Sequence, residues 1–99
     1  MNTERKDTTL HVSAIPELTA GTAPEIKSHL RLDFADGLMN IDFDCSTLDF
    51  VDSSGLGALI SMQKLANERG GKLRLLAPKP TVVQVLELTR LHRIFEIVA

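Results

Sequence analysis

The chain has no Trp and no Tyr, and only four Phe. Aromatic platforms on which bases or sugars stack are therefore scarce. Its one cysteine, Cys45, excludes a disulfide framework and a cysteine-rich zinc site, and fits a reducing compartment. A basic surplus is missing too. Eleven Lys+Arg stand against thirteen Asp+Glu, a net charge of −2, which speaks against nucleic acid or an anionic membrane as partner. No apolar run approaches the ~20 residues of a membrane span. Met1 to Thr9, with Glu4, Arg5, Lys6 and Asp7, lacks the apolar core of a signal peptide. A small cytoplasmic protein is the expectation. What is present is an ordinary globular mix, 43% hydrophobic and 24% charged, over 99 residues. Residues 1–99 should form one domain around a single core.

Two periods alternate along the chain. Leu10 to Ala14 alternates apolar and polar, and so does Met39 to Cys45, with Met39, Ile41, Phe43 and Cys45 on one side. Lys72–Leu76 and Ile94–Val98 complete about four strands. Between them lie helical stretches. Thr22-Ala23-Pro24-Glu25 reads as a helix start with a Thr cap and Pro in the first turn, running to about Leu32. A second helix follows Ser53-Ser54 and ends near Gly70-Gly71. A third follows Pro78-Lys79-Pro80-Thr81. Strands alternating with helices predict an α/β fold with a mainly parallel or mixed sheet. The strands carry polar sides: His11 and Ser13, then Asn40, Asp42 and Asp44, then Lys72 and Arg74. Helices are therefore expected chiefly on one face, with the acidic and basic strands close enough to pair.

Asp52-Ser53-Ser54-Gly55-Leu56-Gly57 is the one unusual hexapeptide. A dinucleotide loop would want a small residue at Ile60, a P-loop a Lys at Ala58, and a nucleophile elbow a Gly two residues before the serine. None fits. Helix capping by the serines is the bland alternative. A further reading is a phosphoacceptor serine, since a phosphoryl charge of about −1.5 to −2 is tolerated at a helix N-terminus. On a helical wheel Ala58, Leu59, Met62, Leu65 and Ala66 form the core arc, while Leu56 and Ile60 fall outside it near Ser53. An exposed apolar pair beside a modifiable serine describes a docking surface with a switch.

The order of elements, the segment Leu-Asp-Phe-Val-Asp-Ser-Ser-Gly-Leu-Gly at 48–57 and the Gly-Gly after the helix resemble the STAS domain family, from Leu10 to Val98. The bacterial anti-sigma factor antagonists are the members it resembles most. The resemblance implies that Ser53 is phosphorylated by an anti-sigma factor, a serine kinase of the GHKL type, and dephosphorylated by a PP2C-like phosphatase. Ser54 would then be the neighbouring cap. Unphosphorylated, the chain would bind the kinase and so free a sigma factor. Asp52, Ser54, Gly55, Leu56, Gly57 and Ile60 would form the contact surface, with Thr19 and Thr22 nearby, and Gly55 and Gly57 would permit close approach. A constitutive STAS scaffold in a lipid-transport ABC assembly is the alternative. Thr19 stands where the family often has Asp, the N-terminal strand is at best vestigial, and the chain stops at Ala99 before the usual last helix.

Elsewhere the chemistry is sparse. Asp42 and Asp44 share a strand face without further ligands, and His11, His29 and His92 are scattered, so no metal is expected. Cys45 reads as a small core residue. Arg90 and Arg93 read as complements to the third helix's dipole. No triad or acid–base pair can be assembled, so no cofactor and no enzyme are expected.

Overall fold

The computed structural model describes Met1–Ala99. In chain order the elements are β1 (Asn2–Lys6), β2 (Thr9–Ser13), β3 (Glu17–Leu18), α1 (Ala23–Asp33), β4 (Asn40–Asp44), β5 (Phe50–Val51), α2 (Ser53–Glu68), β6 (Leu73–Leu76), α3 (Pro80–Leu88), a 3-10 turn at Leu91–Arg93, and β7 (Glu96–Val98). Five strands form one sheet in the order β1-β2-β4-β6-β7, and β3 and β5 form a separate pair. β1 runs antiparallel to β2, and the remaining ladders are parallel. The sheet is therefore mixed. Strands β2, β4, β6 and β7 follow one another in one direction across it. Right-handed crossovers then place the connecting helices on the same face.

The alternation read from the sequence sorts the two faces. Leu10 and Val12, Ile41 and Phe43, and Leu73 and Leu75 turn inward and are buried. They join Phe34, Leu38, Leu48 and Leu86 in a single core cluster of 23 residues. On the other face the Arg74 guanidinium donates Nε–H to Asp42 Oδ1 at 2.8 Å and a second N–H to Oδ2 at 2.7 Å. Asp42 and Arg74 are register partners on adjacent strands, so the fork geometry follows from the ladder. Cys45 is 0% exposed, and burial pushes its thiol up to about 12, which keeps it protonated and inert.

Three expectations need correction. The N-terminal strand is complete: Asn2–Lys6 pairs with Ser13–Thr9 along its whole length. All five of its residues are exposed, so it carries no alternation to read. Met39 does not share the core side of β4. The strand begins one residue later, and Met39 is 37% exposed. Arg90 and Arg93 lie beyond α3, which ends at Leu88, and Arg90 itself turns the chain with a φ of 62°.

Candidate functional site

The site begins with a two-residue ladder. Glu17 pairs with Phe50 and Leu18 with Val51, in parallel. Parallel strands deliver their following loops to the same end. The loop Thr19–Thr22 therefore emerges beside Asp52-Ser53-Ser54. Asp52 has extended backbone angles (φ −101°, ψ −173°) and is the N-cap of α2. Its Oδ1 accepts from Gly55 N–H at 2.9 Å, and its Oδ2 accepts from Ala20 N–H at 3.0 Å. One carboxylate thus caps the helix and fastens the neighbouring loop to it. Those two donors, Ala20 N–H foremost, hold the Asp52 carboxyl below the usual aspartate range.

The loop is itself tightly tied. Thr22 Oγ1 accepts from Thr19 N–H at 2.9 Å and donates to Glu17 O at 3.0 Å, while Thr19 Oγ1 accepts from Gly21 N–H at 3.2 Å. Thr22 accordingly makes no side-chain cap to α1, contrary to the capping expected of it. Its hydroxyl is already engaged inside the loop.

Ser53 and Ser54 are both exposed at the first two positions of α2. The cap expected of Ser54 belongs to Asp52. Neither serine hydroxyl is taken up by another group, so both face solvent with free oxygen. Gly55 is buried, and a Cβ there would stand 1.8 Å from Leu18 O. It is small because α2 starts against β3, not for the close partner approach expected of it. Gly57 has nothing within 4 Å of such a Cβ and lies at the surface. Ile60 is 46% exposed, but Leu56 is half-buried and packs against the core. The predicted apolar pair is thus one exposed residue and one partly covered one. The sequence reading missed Phe50, 57% exposed on the strand that delivers Asp52. Its place in an apolar run disguised it, and a strand of two residues is too short for an alternation to show.

The remaining candidates are occupied elsewhere. Asp44 accepts from Ser46 N–H at 2.9 Å, and Asp42 is held by Arg74. His29 sits 4.0 Å from Glu25 one turn away on α1, and His92 Nδ1 lies 3.4 Å from Leu86 O.

A five-stranded sheet with its helices on one face, and an exposed serine pair opening the central helix, is one structural signature. The family model of the STAS domain matches residues 1–99. The chain belongs to the STAS domain family. Among curated proteins this STAS chain is similar to the anti-sigma F factor antagonist of Paenibacillus polymyxa, 34% identical over 58 residues, which is 59% of the chain and 50% of that relative. The match thus spans only half of the curated relative. Among solved structures it is similar to a candidate anti-sigma factor antagonist from Thermotoga maritima: TM-score 0.89, 27% identity, covering 99% of the chain and 85% of that one. The STAS fold is shared with the Bacillus cell fate determinant SpoIIAA. Its unphosphorylated form gives a TM-score of 0.76 at 21% identity over 99% of the chain and 86% of SpoIIAA. Its phosphorylated form gives 0.70 at 22% identity over 99% and 90%. No helix of the chain is long and apolar enough to cross a membrane.

Asp52→Ala is expected to release both Ala20 and Gly55 amides. Hydrogen exchange at these two positions should speed up by about tenfold or more, and the melting temperature should fall by roughly 5 °C. The same ties set a pH dependence. A carboxyl whose pKa is lowered on folding contributes stability above the ordinary aspartate range, lost as pH falls through the lowered value. The wild type should therefore lose this contribution on acidification, and Asp52→Ala should not. Unchanged exchange at Ala20 would show that the loop is held by its threonines alone.

Proposed function

We propose that this STAS protein is a phosphorylation-switched anti-sigma factor antagonist acting in the cytoplasm. In its unphosphorylated form it binds an anti-sigma factor of the GHKL serine-kinase type and thereby frees a sigma factor. Phosphorylation of Ser53 ends the binding, and a PP2C-like phosphatase resets it. One observation carries the reading. Asp52 caps α2 by itself, which leaves Ser53 exposed at the first helical position with its hydroxyl free. A kinase reaches such an oxygen without unfolding anything, and the helix N-terminus tolerates the charge that it adds. The likeness to proteins named as anti-sigma factor antagonists supports the partner class. Thr19, Thr22, Asp52, Ser54, Gly55, Leu56, Gly57 and Ile60 surround the serine in this reading. Of these, Gly57 and Ile60 offer free surface, while Asp52, Gly55 and the threonines hold the shape.

The protein is a binding partner and not an enzyme in this reading. The carboxylate next to Ser53 already accepts from two amide groups, so no base is in place to turn the serine into a nucleophile. The test is direct. Incubation with a serine-kinase anti-sigma factor from the same genome and ATP should add one phosphate, mapped to Ser53 by mass spectrometry, and Ser53→Ala should take up none. Phosphate on Ser54 instead, or none on the wild type, would sink the switch.

A further inference from the structure

We propose that the cationic groove between α1 and α2 seats an acidic amphipathic helix of the protein partner. The inference rests on the reading of the chain as a binding switch and names the partner's chemistry. The groove has a volume of about 340 Å³; Lys27, Leu30 and Arg31 line it from α1, and Met62, Lys64 and Leu65 from α2. It continues through Lys27 into a second depression of about 300 Å³ that reaches Ser54 and Gly57. Ser54 therefore lies at the mouth of the groove, with Ser53 next to it in the chain. Leu30 and Met62 are buried beneath it, and Leu65 is half-exposed.

The charges decide the occupant. Of the eight other cations five are engaged: Arg5 with Asp36 O, Lys72 and Arg74 with Glu96 and Asp42, Lys79 with Asp49, and Arg69 with Ala35 O, while Lys6, Arg90 and Arg93 are unpaired away from the groove. Lys27, Arg31 and Lys64 form no ion pair and no side-chain hydrogen bond. Lys27 and Arg31 are also one turn apart on α1, a like-charged spacing that opposes the helix. Glu68 is the one acid on the groove, on the last turn of α2, away from the serines. A chain of net charge −2 thus places three unpaired cations together, at a local cost, along an apolar floor. Carboxylates one turn apart on a facing helix would meet Lys27 and Arg31 in register, and apolar residues beside them would cover Leu65. A membrane surface fits less well, because its headgroups form a plane and the floor lies in a trough between two helices. The arrangement also gives the switch a reason to work. A phosphate at the mouth places a dianion where an acidic helix must pass.

The test uses the full isotope-labelled chain and a designed helical peptide with Glu along one side and Leu along the other. Its partner control has every Glu replaced by Gln. Titration followed by NMR should shift the signals of Lys27, Arg31, Lys64 and Leu65, and binding should weaken as salt rises. Lys27→Glu with Arg31→Glu should raise Kd at least tenfold, whereas Lys6→Glu on β1 should not change it. The proposal falls if the Gln peptide binds equally, if the shifts lie elsewhere, or if the reversals have no effect. It falls too if phosphatidylglycerol vesicles shift these residues and the Glu peptide does not. The peptide assay needs neither kinase nor ATP. Failure of Ser53 phosphorylation with intact peptide binding would overturn the switch and leave the groove standing.

Discussion

Gly55→Ala should destabilise the domain by about 3 kcal/mol or more, while Gly57→Ala two residues on should leave it as stable or slightly more so. The contrast comes from what each added methyl would meet. At Gly55 it would stand 1.8 Å from Leu18 O and 2.7 Å from the carbonyl carbon. A backbone carbonyl in a ladder cannot swing away as a side chain can, so α2 must be pushed off β3. Overpacking of this kind costs about 1–3 kcal/mol in cores and more where backbone must move. In a domain of this size each kcal/mol is roughly 4–8 °C, so a fall of about 15 °C or more is expected by calorimetry. At Gly57 the methyl meets nothing within 4 Å. There the ordinary helix preference for Ala over Gly applies, worth about 0.5–1 kcal/mol. Equal melting temperatures for wild type and Gly55→Ala would show that the helix start is not seated on β3 as described.

Ser53→Asp carries the second large effect, and it falls on binding. The folded domain should accept the charge, because the first turn of a helix favours an anion by about 0.3–1 kcal/mol. At a closed interface the same charge must lose water beside Ile60 and face the partner's acidic groups. A few kcal/mol of unreturned desolvation and repulsion corresponds to two or more decades in Kd. Affinity for the proposed anti-sigma factor partner should therefore drop at least about a hundredfold by calorimetric titration. The circular dichroism spectrum and melting temperature should hardly move. Ser53→Ala should stay bound and resist switching off. Ser54→Ala should be nearly silent in stability, within about 0.5 kcal/mol, because Asp52 and not Ser54 caps the helix. If Ser53→Asp bound as tightly as wild type, charge at this position would not be the switch.

The fold was legible where side chains alternate against a core. Ile41 and Phe43, Leu73 and Leu75, and the stripe Ala58, Leu59, Met62 and Ala66 announce their inward faces, and all are buried, whereas Leu65 of the same predicted arc is only half-buried. It was illegible where elements bury nothing or are too short. β1 is a fully exposed polar edge, and β3 and β5 have two residues each, too few for any period to show. The site was legible in kind and partly misread in detail. The hexapeptide does open the central helix, with both serines exposed. The roles within it depend on a contact from outside the motif, Leu18 O, which makes Gly55 a packing glycine. Asp52 as cap had a local signal, since aspartate is among the strongest N-caps and Gly55 N–H lies three residues on. The adjacent serines drew the capping role to themselves. Thr22 failed as a cap for a similar reason, its hydroxyl being claimed by Glu17 O across the loop.

The pairing of β3 with β5 has a consequence for recognition. The surface around Ser53 is assembled from two stretches far apart in sequence, joined by two residue pairs and by the Asp52 carboxylate. A short peptide copying residues 48–60 carries the serine and its neighbours but none of this neighbourhood. Anything that reads the assembled surface reads a discontinuous epitope. It would therefore distinguish a finished fold from a nascent or damaged chain, and a kinase of that kind would mark folded molecules only.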